Sequence, residues 1–144
     1  MKAPRLTAQE LQRLLAAEFP HLFGADGGIA IDEVWFAGCR LRQSFRDDSL
    51  RPGGTISGAT IMALGDYAMY VAVLASIGWE PLAVTTSLNA NFLRKPQRRD
   101  LIAECKLLKL GKRLAVGEVV VRSDGEDEPA AHVTSTYSIP PRDD

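Results

Sequence analysis

The sequence predicts an α+β fold in which one long apolar helix is wrapped by a strongly curved antiparallel sheet. Three observations lead there. Residues 56–78, ISGATIMALGDYAMYVAVLASIG, are almost all apolar or small, and their large side chains surround the helix axis so that no continuous polar face remains. The segments on either side alternate apolar and polar residues with the period of two that marks a sheet with one wet face. The order along the chain is helix, two strands, long helix, four strands. In 144 residues, burying a helix on nearly all sides requires a sheet curved around it or help from a second subunit.

Residues 6–19 form the first helix. Thr7 and Glu10 have capping-box spacing, Leu11, Leu14, Leu15 and Phe19 share one face, and Pro20 is expected to end it. Its role reads as packing or a lid. After the turn at Gly24–Gly28, residues 29–36 read as a strand ending in Val34, Trp35 and Phe36. A second strand follows at 39–45, with Cys39, Leu41, Gln43 and Phe45 alternating against Arg40, Arg42, Ser44 and Arg46, and the two predict a hairpin. The loop DDSLRPGGT, 47–55, leads to Ser57 as N-cap of the long helix, where Gly58 and Ala59 leave the first-turn amides sterically open to negative charge. Beyond the turn at Gly78–Pro81, residues 83–93 form a strand with Val84, Thr86, Leu88, Ala90 and Phe92 on one side. Strands at 101–110, 114–122 and 131–139 complete the sheet, linked by the basic turn Lys109–Arg113 and the acidic turn Asp124–Pro129. The whole reads as one domain over 1–144, with 1–28 as an N-terminal helix and turn and 140–144 as a frayed tail. Exposed strand edges predict a homodimer that extends the sheet.

Composition narrows the chemistry. A formal net charge of −1 gives no support to a nucleic-acid partner, and no phosphate-binding glycine motif of the GxGxxG or GxxxxGK type occurs. Residues 59–77 approach membrane-spanning length, but Asp66 near their centre would cost roughly 2.5 to 3.5 kcal/mol on insertion scales, so no membrane partner is expected. The start, MKAPRLTAQELQ, lacks the apolar run of a signal peptide, and Cys39 and Cys105 read as core thiols; the expectation is cytoplasmic. His21 reads as a surface residue and His132 as a satisfied strand histidine. Neither has metal-ligand spacing, so no metal site is expected, and no GxSxG elbow supports a serine nucleophile.

Asp66 is the residue that packing does not explain. A carboxylate among apolar side chains costs several kcal/mol unless it is hydrogen-bonded, paired or open to a cleft. It reads either as a structural acid or as a carboxylate tuned to act as base or nucleophile. Gly58 supplies the complementary feature, since an open helix-start amide can hold a developing oxyanion. The two are eight residues apart, about 12 Å along a helix axis, so one helix does not bring them together and a site shared between subunits is expected. A basic stretch, Arg94–Arg99 followed by Lys106, Lys109, Lys112 and Arg113, reads either as a solvated edge or as a phosphate-binding surface.

Three segments, SGATIMALGDYAMYVA, TTSLNANFLRKP and LGKRLAVGEVVV, resemble in order and spacing the hotdog-fold acyl-CoA thioesterases of the phenylacetate-pathway type, over about residues 31–139. The resemblance implies a hotdog fold, dimers with a continuous sheet that commonly pair into tetramers, and active sites at subunit interfaces. It implies hydrolysis of an acyl-CoA, with coenzyme A as part of the substrate and no separate cofactor. By position Asp66 matches the catalytic acid, Gly58 the amide that polarises the thioester carbonyl, and Thr85 or Thr86 a hydroxyl that helps hold water. Arg94, Lys112 and Arg113 are the candidates for the coenzyme A phosphates. Ser57 stands where a histidine is common in the family, and Arg51 where an asparagine is, which keeps open a non-catalytic module that binds acyl-CoA or lipid. An apolar pocket near Met62, Met69 and Tyr70 is expected for the acyl chain.

Overall fold

The computed structural model describes residues 2–142. Helix α1 (Ala8–Glu18) starts as expected: Glu10 N donates to Thr7 Oγ1 at 3.1 Å and Thr7 N to Glu10 Oε1 at 3.0 Å. Pro20 ends α1, but it also begins a separate turn, α2 (Pro20–Phe23), because a proline at a first helical position loses no intrahelical bond. Strands β1 (Ile29–Trp35) and β2 (Gly38–Gln43) form the predicted hairpin. The segment expected to be a loop contains a short ladder, β3 (Leu50–Arg51) against β4 (Thr55–Ile56). Its turn uses Gly53 and Gly54 at φ of 100° and 79°, a region that residues with a Cβ avoid.

Helix α3 (Gly58–Ile77) is followed by β5 (Val84–Phe92), β6 (Leu101–Leu110), β7 (Leu114–Ser123) and β8 (Ala131–Ser138). Six strands pair antiparallel in the order β1-β2-β6-β7-β8-β5 and wrap α3, which is the hotdog fold. The sheet edges are treated differently. At β1 the side-chain amide of Gln12 stands in for a strand, donating to Ile29 O at 3.0 Å and accepting from Ile31 N at 2.7 Å, so α1 covers that edge. Strand β5 has exposed side chains along almost its whole length and is the open edge.

The helix is not buried evenly. From Ala68 to Ile77 every residue is enclosed, in a core shared with Leu11, Leu41, Ala103 and Val119. In the first half Ala59, Met62 and Ala63 are exposed and Asp66 is half-buried. Those positions recur at helical spacing, so they form one stripe, and the sheet stops short of it beside β5. The expectation of burial on nearly all sides therefore holds for the second half only. Met69 and Tyr70 lie inside the core while Met62 faces outward. Length and a mean hydropathy of 1.6 would let α3 cross a bilayer, but 72% of that window is buried within the fold.

Cys39 and Cys105 are free and buried, as expected of core thiols; Cys39 Sγ donates to Ala68 O at 3.1 Å, and burial pushes its thiol well up. The arginines of β2 face water but are paired: Arg42 reaches Asp124 at 2.8 Å and Asp100 at 3.4 Å, and its guanidinium holds the Asp124 carboxyl below the usual range. Asp143 and Asp144 of the expected frayed tail lie outside the described residues. Arg142 is tethered, donating to Ile77 O at 3.2 Å.

Candidate active site

The start of α3 is built by the β3–β4 hairpin, which turns the chain back so that Ser57 arrives in an extended conformation and caps the helix. Ser57 Oγ accepts from Thr60 N at 3.2 Å and lies 2.9 Å from Thr60 Oγ1. Among the described residues no acceptor meets the amides of Gly58 and Ala59. Position 58 is close to β5: a Cβ there would lie 3.1 Å from the ring of Phe92, so any other residue needs a small shift of that ring. Gly58 lines a groove of about 460 Å³ together with Ile56, Ile61 and Phe92 and with the basic residues Arg51, Arg94 and Lys95. Arg94 is not free within it, since it pairs with Glu128 and donates to Pro129 O at 3.1 Å.

Two turns along, Asp66 meets two hydroxyls. Thr85 Oγ1 donates to Asp66 Oδ1 at 2.6 Å, and Tyr137 OH lies 2.9 Å from the same oxygen and 3.0 Å from Asp66 O. No donor among the described residues reaches Oδ2. Strict alternation along β5 would put Thr86 on the helix side with Leu88, Ala90 and Phe92. A bulge between Thr85 and Ser87 shifts the register, so Thr85 takes the inward place and Thr86 donates to Thr136 O at 3.2 Å instead. Burial first, then the neighbouring Asp66 charge, drives the Tyr137 phenol far above its ordinary range, so it stays a donor at any working pH.

A single chain does not unite the candidate residues. Gly58, Arg51 and Arg94 share the groove at the start of α3, and Asp66 with Thr85 lies about 12 Å further along the helix axis. Lys112 is at the other end, in a groove of about 480 Å³ with Lys2, Arg5, Ile77 and Arg142. Arg113 is engaged in closing the β7–β8 end, donating to Ile139 O at 2.9 Å. His132 Nε2 sits 3.0 Å from Glu118 Oε2, a satisfied strand histidine as expected, and His21 is exposed. Among the described residues no three His, Cys, Asp or Glu side chains are grouped to hold a metal. Tyr137 escaped the sequence reading: the signal available was a hydroxyl on an inward-facing aromatic, which needs a partner when buried.

Helix and wrapped sheet together define a hotdog protein, and residues 53–130 match the thioesterase superfamily; the chain belongs to that family. A candidate thioesterase from Silicibacter sp. TM1040, seen by crystallography, is 41% identical, with 96% of this chain and 94% of that one covered and a TM-score of 0.87. A candidate esterase from Saccharolobus solfataricus is 27% identical over 136 residues, 94% of this chain and 87% of that protein. A phenylacetic acid degradation protein from Thermus thermophilus shares the fold at 23% identity, with a TM-score of 0.71 over 84% of this chain and 99% of that one. These matches support an enzymatic activity of the general thioester- or ester-cleaving kind.

Proposed function

We propose that the protein hydrolyses an acyl-CoA thioester, with Asp66 as base or nucleophile and the Gly58 amide as oxyanion donor. The observation that carries this is the state of Asp66: one carboxylate oxygen is held by two hydroxyls while the other has no donor among the described residues, on an exposed stripe two turns from an open helix start. As base, Oδ2 takes a proton from water as the water oxygen bonds to the thioester carbon. The carbonyl electron pair moves onto the oxygen held by Gly58 N–H, and its return breaks the C–S bond; the proton leaves with the thiol. As nucleophile, Oδ2 attacks the carbon itself, expels the thiolate and forms an anhydride that water then cleaves. Either route consumes one water and yields one acid and one thiol.

The site is completed, on this reading, by a second copy of the chain. The open edge of β5 supports a homodimer with a continuous sheet. In a two-fold pair that sets Gly58 of one copy beside Asp66 of the other, the axis passes near position 62, midway between them. Met62, 39% exposed, occupies that position and would meet its own equivalent. On the same reading Arg94, which lines the Gly58 groove, and the basic residues Lys112 and Arg113 serve the coenzyme A phosphates, Arg94 and Arg113 by exchanging their present partners for phosphate. Exposed Leu108, Leu114 and Val120 on the outer sheet face favour pairing of dimers into a tetramer. Free buried thiols favour a reducing, cytoplasmic setting. Within the family we place the chain with the phenylacetate-pathway type, on the three segments that resemble it.

Thiol release from a panel of aromatic, short-chain and long-chain acyl-CoAs tests the reading. Wild type should turn over at least one class, and Asp66→Asn should lower kcat by at least about 100-fold. Equal rates for wild type and variant would remove Asp66 from the chemistry. The second reading, a module that binds acyl-CoA without turnover, is favoured by Ser57, whose hydroxyl is committed to the cap where the family often has histidine. It predicts saturable binding with no thiol release.

A further inference from the structure

We propose that Tyr137 is a positioning residue of the Asp66 site, holding one carboxylate oxygen and the helix carbonyl of the same residue so that only the other oxygen faces the reacting group. The inference rests on the reading of Asp66 as that group. It starts from strand register: Thr85 on β5 lies directly opposite Tyr137 on β8, and the bulge after Thr85 lets both side chains point to the helix. Two neighbouring strands thus bring two hydroxyls to one atom, Asp66 Oδ1, at 2.6 and 2.9 Å.

The two hydroxyls are not equivalent. Thr85 is exposed, so water competes for its hydrogen bond. Tyr137 is 3% exposed, and its ring stacks on Tyr70 with centroids 6.2 Å apart. Tyr70 is fixed in turn by donating to Pro81 O at 2.8 Å. The direction of the Tyr137 hydroxyl is therefore set by packing, and its second acceptor, Asp66 O at 3.0 Å, ties backbone and side chain of the aspartate to one point. A mid-helix aspartate held only by water would rotate among staggered conformers. This one is held in a single conformer, with Oδ2 turned away from the donors.

Both hydroxyls donate to Oδ1, so that oxygen is occupied and Oδ2 is the one left to the reacting group. The ionisable groups around Asp66 are Tyr67 and Tyr70 on its own helix and Tyr137 on β8; β5 contributes the hydroxyl of Thr85. Removing the buried donor leaves Oδ1 with the exposed Thr85 hydroxyl alone, so Oδ2 loses its fixed direction and kcat falls with little change in KM.

The test compares wild type, Tyr137→Phe and Thr85→Ala, each first shown to be folded by circular dichroism. Two quantities are read: kcat and KM at one pH, and the carboxyl carbon resonance of Asp66 by NMR at the same pH. Tyr137→Phe is expected to move that resonance and to cut kcat about tenfold, with KM within about twofold. Thr85→Ala should move the resonance less. A folded Tyr137→Phe with unchanged resonance and kcat overturns the inference. Wild type that releases no thiol from any acyl-CoA instead overturns the hydrolytic reading; the NMR resonance, which needs no turnover, still shows whether Tyr137 acts on Asp66.

Discussion

Ser57 shows how one side chain limits what a site can do. Its Oγ is taken up by Thr60 N and Thr60 Oγ1, so its contribution is to fix the first turn, of which Gly58 lines the groove. Ser57→Ala should lower stability by about 1 kcal/mol in thermal or urea unfolding, and Ser57→Asp should restore most of it, because aspartate accepts the same bond. A Ser57→Ala protein as stable as wild type would mean the cap contributes nothing. Ser57, Gly58 and Asp66 were all legible in the sequence because helix starts and lone acids announce themselves within a few residues. Tyr137 was not, since it is 71 residues from Asp66 and its place in β8, among inward-facing Ala131, Val133 and Ser135, reads as packing. Only the three-dimensional pairing of β5 with β8 turns that tyrosine into a partner for the acid.

Strand β5 carries two properties that a period-two reading separates poorly. Its existence and span were legible from alternation, while the bulge was not, because one extra residue leaves composition unchanged and merely swaps Thr85 for Thr86 on the helix side. The open edge can be addressed by a single backbone atom. Leu93 N donates to Ala130 O, so its amide points at β8, and by alternation the amide of Ala90 points outward. Proline is tolerated on an edge strand where its missing N–H faces solvent. Ala90→Pro should therefore keep the fold of the single chain yet remove an edge donor and add a ring in the way of a second strand. Sedimentation velocity should show a lighter species than wild type, with activity reduced in proportion. A variant that sediments as wild type does would argue that β5 is not the joining edge. The other edge supports the contrast, since Gln12 already occupies the β1 backbone groups.

At the scale of the whole molecule, the separation of Gly58 from Asp66 is the feature with the widest consequence. The helix fixes about 12 Å between them, and no loop in the described chain can fold Asp66 back onto its own Gly58. If each site takes its amide from one subunit and its carboxylate from the other, two dead variants can repair each other. Gly58→Pro deletes the amide at a position where proline suits a helix start and where the preceding Ser57 already has the extended ψ of 149° that a proline requires, at the cost of a small adjustment of Phe92. Asp66→Asn deletes the charge. In a mixed dimer one site receives proline and asparagine together, while the other receives the intact Gly58 of one subunit and the intact Asp66 of its partner. Unfolding and refolding the two variants together in equal amounts makes about half the dimers mixed, so about a quarter of wild-type activity should return although each variant alone is inactive. A site contained within one chain predicts no recovery at any mixing ratio, because every chain then carries one of the two lesions.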